Sequence, residues 1–554
     1  MASKFKRYLY GRFGGGINTA VPANEIADDE CVDILNKEFD AEDNLITRRG
    51  VTKFCSAMPI TSDRITSLYD FRKADGSSFL IATWAADVRS ITTSAATSIK
   101  GALTLPSDTL WSWVTFNDLA IGANGASSGD AVVKWSGTGD AVALAGTPPR
   151  MKYLEVWNNR VFGVEVANPN RVSWCKLGDA NNWTDTTAGS IEVGYNDGDT
   201  ITGIKAHRKA LFIFKNKRIY IITTGTPNTD PALWRLDLFT SNAGCVAHNT
   251  IQSVLDDLFF LGDSGVMSLG AVQTFGDFAQ AMASKKINAL KSFPRSVANH
   301  YSVVDAENSQ YWIAIPSSTS GTANGQVFVC DYRRAGEGRL RWTRFDGRVT
   351  GTSYAQVFAS GKKRVFIGSS DNIIYRKDTI DENGYSDATQ AYAKVVQTKA
   401  YDQGEILLRK EFNRWAASIE LLTCPVALTV KYRFDEKDYR LTSQIFNFAC
   451  TQDGLGGFFG DGTGNANAAL WDVALWDAVD NGGVPGRGWL FGGDISDESS
   501  ALRDIQRKIN KANGKRGQSI QFYFFNAQNA QAFLLKDFAI DAISIGTHKV
   551  NDVR

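Results

Sequence analysis

From Ile65 to Lys377 the chain repeats one plan: an apolar strand, a short polar turn, a second apolar strand, another turn, then a strand bearing aromatics. The first copy runs Ile65 to Phe71, turns at Ala74-Asp75-Gly76 and continues Phe79 to Trp84. The second has Trp111 to Phe116, Asn117-Asp118, Leu119 to Gly122 and Ala131 to Trp135. The third has Tyr153 to Trp157, Asn158-Asn159, Val161 to Val164 and Val172 to Trp174. In the fourth, Ile201 to Ala206 meets His207-Arg208-Lys209, then Leu211 to Phe214 and Ile219 to Thr223. The fifth reads Ile251 to Leu255, Asp256-Asp257, Leu258 to Leu261 and Val266 to Leu269. The sixth spans Tyr301 to Val304, Glu307-Asn308-Ser309, Tyr311 to Ile315, Val327 to Cys330 and Leu340 to Phe345. The seventh spans Thr352 to Phe358, Gly361-Lys362-Lys363, Val365 to Ile367 and Ile373 to Arg376. β-branched and aromatic residues dominate these runs, as pleated, half-buried strands require.

The first turns, at Asp75, Asp118, Asn159, Lys209, Asp257, Asn308 and Lys362, fall 41 to 54 residues apart, the length of a three- or four-stranded sheet with its connections. That period predicts propeller blades, and seven of them suit a closed ring in which radial packing leaves only short, protected edges. Two or three β-sandwiches would also space strands at about 8 to 12 residues. The regularity of the turns favours the ring. Whether all seven units close it, or share closure with the domain after Asp378, stays open at this level.

Two segments carry helical spacing instead. Ala281 to Phe293 sets Met282, Ile287, Leu290 and Phe293 near one face and stops before Pro294, which predicts a packing helix between blades. Ser496 to Ala512 has Asp497 and Glu498 in its first turn and an apolar stripe of Leu502, Ile505 and Ile509. Arg507, Lys508 and Lys511 then lead toward Gly514, matching dipole and C-cap preferences. Its basic end, with Lys515 and Arg516, is a candidate basic patch for phosphate, although a solvated helix face accounts for the same charges.

Beyond Asp378 the blade rhythm stops. The β-rich stretches Ala391 to Cys450 and Gln518 to Gly546 are expected to pair into one sandwich-like domain, flanking a Gly-, Asn-, Asp- and Trp-rich insertion at 451–494. Phe458, Phe459, Trp471, Trp476 and Trp489 in that insertion need something to bury against, and a partner subunit is the natural candidate. The expected class is all-β: a β-propeller-like ring of short antiparallel blades, an added sandwich-like domain and a few short helices. Residues 1–60 form an N-terminal arm with a short helix, 61–378 the propeller, and 379–554 the second domain with the insertion and a helix at 496–512.

Composition narrows the partners. Lys plus Arg number 60 against 59 Asp plus Glu, so a net charge of +1 provides no global field toward nucleic acid or an anionic bilayer. The start, Met1 to Gly16, is basic and aromatic and lacks the apolar core and cleavage site of a secretory signal. No apolar run approaches the roughly 20 residues of a spanning helix, since Val254 to Leu269 carries Asp256, Asp257 and Asp263. A protein made and kept in the cytosol, or released by lysis, is expected.

Chemistry finds little foothold. The four histidines, His207, His248, His300 and His548, are scattered without an H-E-x-x-H motif. The seven cysteines are odd in number and never form C-x-x-C, which predicts buried free thiols rather than a zinc site. Gly125-Ala126-Ser127-Ser128-Gly129 matches the serine-hydrolase pattern G-x-S-x-G. The strand-like Asp130 to Trp135 follows it where that motif needs a helix, so a blade turn is expected. No phosphate loop occurs, and Asp461 and Asp472 lack the alternating oxygen ligands of a calcium loop. A glycosidase would need two carboxylates flanking a sugar, and nothing in the sequence brings a particular pair together. No enzymatic activity and no cofactor are expected.

One segment resembles a known family. Gly14-Gly15-Gly16-Ile17-Asn18, Pro22, Glu25 to Asn36, Phe39-Asp40 and Leu45-Ile46-Thr47-Arg48-Arg49-Gly50 make a "GG-x-N … I-x-D-x-E … N-x-x-F-D … L-x-x-R-x-G" run. This is similar to the amino terminus of tail hub or nozzle proteins of short-tailed bacteriophages. Gly178 to Trp183, Ile201 to Ile222, Tyr311 to Pro316, Val327 to Tyr332 and Trp342 occur in the same order in that family. The resemblance implies a homo-oligomeric virion ring, typically of six subunits, below the portal and head-to-tail adaptor. Such a ring anchors tail fibres or spikes, and its channel retains and then conducts double-stranded DNA. Asp28, Asp29, Glu30, Arg48 and Arg49 become candidate arm contacts, and Arg48 and Arg49 could meet either phosphate or a carboxylate. A receptor- or glycan-binding tail protein, and then a propeller glycosidase, are the alternatives on the same fold.

Overall fold

The chain divides into two compact units in a computed structural model that describes residues 5–58, 63–225, 229–270, 282–293, 299–316, 324–359, 361–378, 384–405, 407–423, 426–435, 443–448, 489–492, 501–508 and 516–547. One unit comprises Val51–Leu340 and Asp346–Asp378; the other comprises Met1–Gly50, Arg341–Phe345 and Thr379–Arg554.

The first unit is a seven-bladed β-propeller. Its innermost strands are Ile65–Arg72, Ser112–Phe116, Met151–Trp157, Ile201–His207, Gln252–Val254, Tyr301–Asp305 and Ser353–Ala359, each pairing antiparallel with the next strand in sequence. Tight turns make this possible: Asn117-Asp118 and Asn158-Asn159 all take positive φ, from 47° to 58°, the geometry of hairpin turns whose twist matches the strands. The cores lie between blades. Phe71 and Ile81 of blade one pack with Trp111, Val133 and Trp135 of blade two, and Trp157, Phe162 and Trp174 of blade three pack with Ile204, Leu211 and Ile213 of blade four.

Ring closure uses a strand from before blade one. Val51–Lys53 pairs antiparallel with Ile374–Lys377 and completes blade seven as its fourth, outermost strand. Blade seven is also tied to blade one, since Thr352 Oγ1 donates to the Ile65 carbonyl at 2.6 Å and the Arg72 guanidinium donates to the Phe358 carbonyl at 2.7 Å. The seven units therefore close one ring by themselves.

The second unit is a β-sandwich. One sheet is built on the long antiparallel pair Leu408–Leu421 and Phe533–Thr547; the other runs Glu30–Leu35, Lys394–Tyr401, Ile520–Asn526, Val426–Phe434 and Ser443–Phe448. Aromatics from both sheets interlock between them: the Trp415 ring lies 5.7 Å from that of Phe522, and Phe538 lies 4.6 Å from Phe522. Such offset and edge-on pairs add to the burial of large apolar area.

Three expectations are corrected. The arm belongs to the sandwich up to Gly50, and its described residues form strands and turns, not a helix. Pro22 and the Gly14-Gly15-Gly16 run break any helical register. Residues 282–293 hold only a 3-10 turn, Asn288–Leu290. The amide of Ala283 donates to the Val266 carbonyl and Ser284 Oγ accepts from Val266 N, so this segment adds to the outer edge of blade five instead. Its apolar stripe still serves, because Ile287, Leu290 and Phe293 are buried.

Ala501–Lys508, the heart of the expected second helix, is a strand paired with residues 414–421. Apolar residues three apart fit either state, and the open edge of a 14-residue strand decides the matter. The expected cap residues at 496–498 and the stretch 509–515 lie outside the described residues. Arg341–Phe345 follows Asn324–Asp331 in the sheet order, as the sixth repeat predicts, and its Arg344 is also level with Leu35 in a parallel pairing.

Candidate functional site

The propeller axis is where a fold of this kind gathers side chains from many blades, so the innermost strands are the natural place for a site. Every seam between neighbouring blades is latched there. Tyr69 and Thr115 hydroxyls bond at 2.8 Å between blades one and two. The Leu154 amide of blade three donates to Ser112 Oγ of blade two at 2.9 Å. Lys205 Nζ of blade four reaches Glu155 of blade three at 3.2 Å. Thr202 Oγ1 donates to the Cys245 carbonyl at 2.6 Å, Gln252 Nε2 to the Ser302 carbonyl at 3.1 Å, and Gln356 Nε2 to the Val304 carbonyl at 2.8 Å.

A 3-10 turn, His248–Thr250, then closes the axis. It leads into blade five, yet His248 Nε2 lies 3.4 Å from Ser112 Oγ of blade two, and its ring centre lies 4.6 Å from that of Tyr153 of blade three. On the far side, Ser302 Oγ of blade six donates to the Asn249 carbonyl at 3.1 Å. Gly203 of blade four lets the turn pass: a Cβ there would stand 3.3 Å from His248 Cα and closer still to Ile251. A turn that touches blades on opposite sides of a ring must sit on its axis.

Ser112 and His248 invite comparison with a catalytic pair. Burial first, then the nearby Lys205 and Lys152 charges, lower the His248 pKa to about 3, so the imidazole is neutral. Its Nδ1 is buried without a hydrogen-bond partner, so no carboxylate fixes the tautomer that a general base requires. Ser112 Oγ already accepts the Leu154 amide. Glu155 is raised by burial against the opposing pull of Lys205 and acts as a seam latch. The group is built to fasten blades. Histidine patterning alone gave no sign of this, because the contacts join different blades, as far as 136 positions apart in the chain.

The arm residues singled out in the sequence are all used within the sandwich. Arg48 is wholly enclosed and forms a two-pronged ion pair with Asp387, at 2.7 and 2.9 Å, with its guanidinium 3.9 Å from the Tyr392 ring. Its partner is a carboxylate, not phosphate. Arg49 lies 4.3 Å over the Tyr385 ring. Asp28 pairs with Lys399 at 2.8 Å, Glu30 accepts from Asn18 Nδ2 and the Ala27 amide, and the Asp29 carbonyl accepts from Gly15 N.

The described members of the basic patch lie along one strand of the sheet. Arg507 and Lys508 occupy strand positions opposite Trp415 and Arg414, and Arg516 pairs with Glu411 at 3.3 Å. Lys511, Lys515, Phe458, Phe459, Trp471 and Trp476 lie outside the described residues; Trp489 begins the strand Trp489–Gly492. Gly125 to Gly129 falls between the strands Leu119–Ala123 and Val132–Trp135, the turn the sequence predicted. Cys31, Cys55, Cys175, Cys245 and Cys330 are buried free thiols. Among the described residues no cluster of His, Cys, Asp and Glu could hold a metal ion, and no helix is long and apolar enough to cross a membrane.

The strand order defines the class: a seven-bladed propeller joined to a β-sandwich. No protein-family model and no curated protein matches the chain. Among solved structures it is similar to virginiamycin B lyase from Staphylococcus aureus, at 11% identity and a TM-score of 0.38 over 58% of this chain and 97% of that one. It is also similar to BamB from Moraxella catarrhalis, at 12% identity and a TM-score of 0.33 over 62% of this chain and 96% of that one. An ancestral GH74 enzyme gives 10% identity and a TM-score of 0.38 over 61% of this chain and 49% of that one. None of these carries a function to this chain.

Proposed function

We propose that this chain is a structural virion protein, a hub or nozzle subunit of a short bacteriophage tail, without catalytic activity. One observation carries the structural part of this reading: the polar groups that meet on the propeller axis are engaged in fastening blades together. The tail assignment comes from the amino-terminal resemblance, whose residues serve architecture. Gly16, at φ 77°, leaves room for the Trp342 backbone, and a Cβ there would lie 2.8 Å from Trp342 N. Asp40 caps the turn at Glu42 and Asn44, and a side chain at Gly50 would collide with the Ser386 carbonyl.

In this reading the DNA passage is not the hole of the propeller, which the His248 turn occupies. It is the axis of a ring of six copies, beneath the portal and adaptor, carrying fibres or spikes on its flank. Cyclic head-to-tail contacts suit such a ring. A net charge of +1 suits a lumen through which DNA must slide, since a basic wall would hold phosphate by counterion release. Light scattering on the purified chain, with negative-stain images, tests the reading. Closed six-copy rings with an open centre are expected. A trimer that binds soluble glycan would place the chain with receptor-binding fibre proteins, and release of reducing sugar would make it a glycosidase. Either result sinks the proposal.

A further inference from the structure

The sheet built on Leu408–Leu421 and Phe533–Thr547 has one face against the core of the sandwich and one turned away from it. Residues 414–418 and 537–541 pair without a bulge, with Arg414 opposite Asp541, Ala416 opposite Ala539 and Ser418 opposite Asp537. Side chains alternate between faces along a strand, and Trp415 and Phe538 point to the core, where both rings pack on Phe522. Arg414, Ala416, Ser418, Asp537, Ala539 and Asp541 therefore share the outer face. The strand Lys6–Tyr10 extends that face, because Leu9 is opposite Ala539 and Arg7 is opposite Asp541.

Three groups on this face want a partner. Leu9 is 78% exposed, the most exposed large apolar residue of the described chain. Beside it, Ala416 and Ala539 line a hollow together with Arg7, Arg414 and Asp541. Asp541 is satisfied by Arg7, through bonds of 2.8 and 3.1 Å. Arg414 is not satisfied: among the described residues its guanidinium has no ion pair or hydrogen bond, and its Nε is shielded from water without an acceptor. A shielded N–H left in that state costs free energy that an incoming acceptor recovers. Asp537 is exposed, and it too has no ion pair or side-chain hydrogen bond among the described residues.

The placement of these groups says what the partner is. Arg414 and Asp537 stand on neighbouring strands, on opposite sides of the Ala416–Ala539 pair, each two residues or about 7 Å from it. A two-fold axis lying in an interface over that pair brings Arg414 of one copy to Asp537 of the partner subunit, and Asp537 to Arg414 of the partner subunit. The axis runs nearly along the row Leu9–Ala539–Ala416, so Leu9 meets Leu9 of the partner subunit beside the alanine hollow. We infer that two copies of this chain dock face to face through this surface, with two Arg414–Asp537 ion pairs flanking a Leu9–Leu9 contact. A two-fold interface needs this kind of self-complementary surface. A phosphate or an unrelated acidic segment would engage Arg414 but meet Asp537 as a like charge. The contact goes beyond the ring proposed above and does not rest on it; where rings form, it joins them in pairs.

The test uses the full-length chain. Leu9→Cys, mildly oxidised, should run at twice the chain mass on a non-reducing gel, whereas Leu238→Cys, exposed on the propeller, should not. Arg414→Asp and Asp537→Arg should each raise the concentration at which the paired form dissociates by about tenfold, read by light scattering. Both changes in one chain should restore it, because each ion pair reforms with its charges exchanged, and circular dichroism should be unchanged throughout. No Leu9→Cys dimer, or a double variant no tighter than the single ones, overturns the docking; six-copy rings that persist singly in that case leave the ring reading standing. A Leu9→Cys dimer with charge-swap rescue, from a chain that forms no ring, supports the docking and sinks the ring.

Discussion

Removing the carboxylate beside Arg48 tests the sandwich's internal logic most directly. Arg48 and Asp387 are 0% and 2% exposed, so Asp387→Ala strands a guanidinium in the interior. Breaking a buried pair from one side costs about 3–5 kcal/mol. Two acceptors would remain, Asn36 Oδ1 at 2.8 Å and the Arg49 carbonyl at 3.0 Å, together with the face of Tyr392. These hold the loss near the lower end, about 3 kcal/mol, or a fall of roughly 6 to 12 °C in the unfolding midpoint. Hydrogen exchange resolved to the sandwich peptides is the suitable assay, because it separates this unit from the propeller. The double variant Arg48→Met with Asp387→Leu should recover much of the loss, since no charge is then left without its partner. A single-variant loss below about 1 kcal/mol would show that the pair is solvated in solution and that the enclosure of Arg48 is wrong.

Other perturbations reach different parts of the molecule. Val51 is 1% exposed in the closing strand, so Val51→Asp should release that strand and speed hydrogen exchange across Lys362–Lys377, with blades two to four unchanged. Lys394 is lowered to about 8, chiefly by burial and then by Arg48, so the unfolded chain holds its proton more tightly than the folded one. Stability to urea should therefore rise as pH climbs from about 8 toward the ordinary lysine range, and Lys394→Met should flatten that rise. Gly50→Ala drives a methyl into the Ser386 carbonyl, and a loss of about 1–3 kcal/mol by chemical denaturation is expected.

The propeller was legible because its information is local. Hairpin turns such as Asn117-Asp118 and Asn158-Asn159, flanked by apolar runs, mark each blade without help from distant residues. The strand Ala501–Lys508 was not legible, because Leu502 and Ile505 suit a helix as well as a strand and the choice belongs to an edge some 90 positions away. The closing strand was missed for a related reason: Val51-Thr52-Lys53 is too short to announce itself, and only its partner at Ile374–Lys377 makes it a strand. Among functional candidates, Arg48 stood out in the sequence, but its role depended on Asp387, 339 positions later. The His248 turn carries no signature at all; its meaning is its position.

The late partner of the closing strand has a consequence for how the molecule is made. Val51 is opposite Lys377 in the finished blade, so the strand that fastens the ring leaves the ribosome roughly 320 residues before the strand it must join. At synthesis rates of about 5–20 residues per second, the wait is roughly fifteen to sixty seconds. Throughout it, blade one has no neighbour on its seventh-blade side, and Ile65 and Leu68 lack the Val357, Phe366 and Ile374 side chains that later cover them. Nascent chains are therefore most exposed to aggregation and to chaperones during this interval. Substitutions that weaken blade one alone should lower the yield of soluble protein more than the stability of the protein that survives.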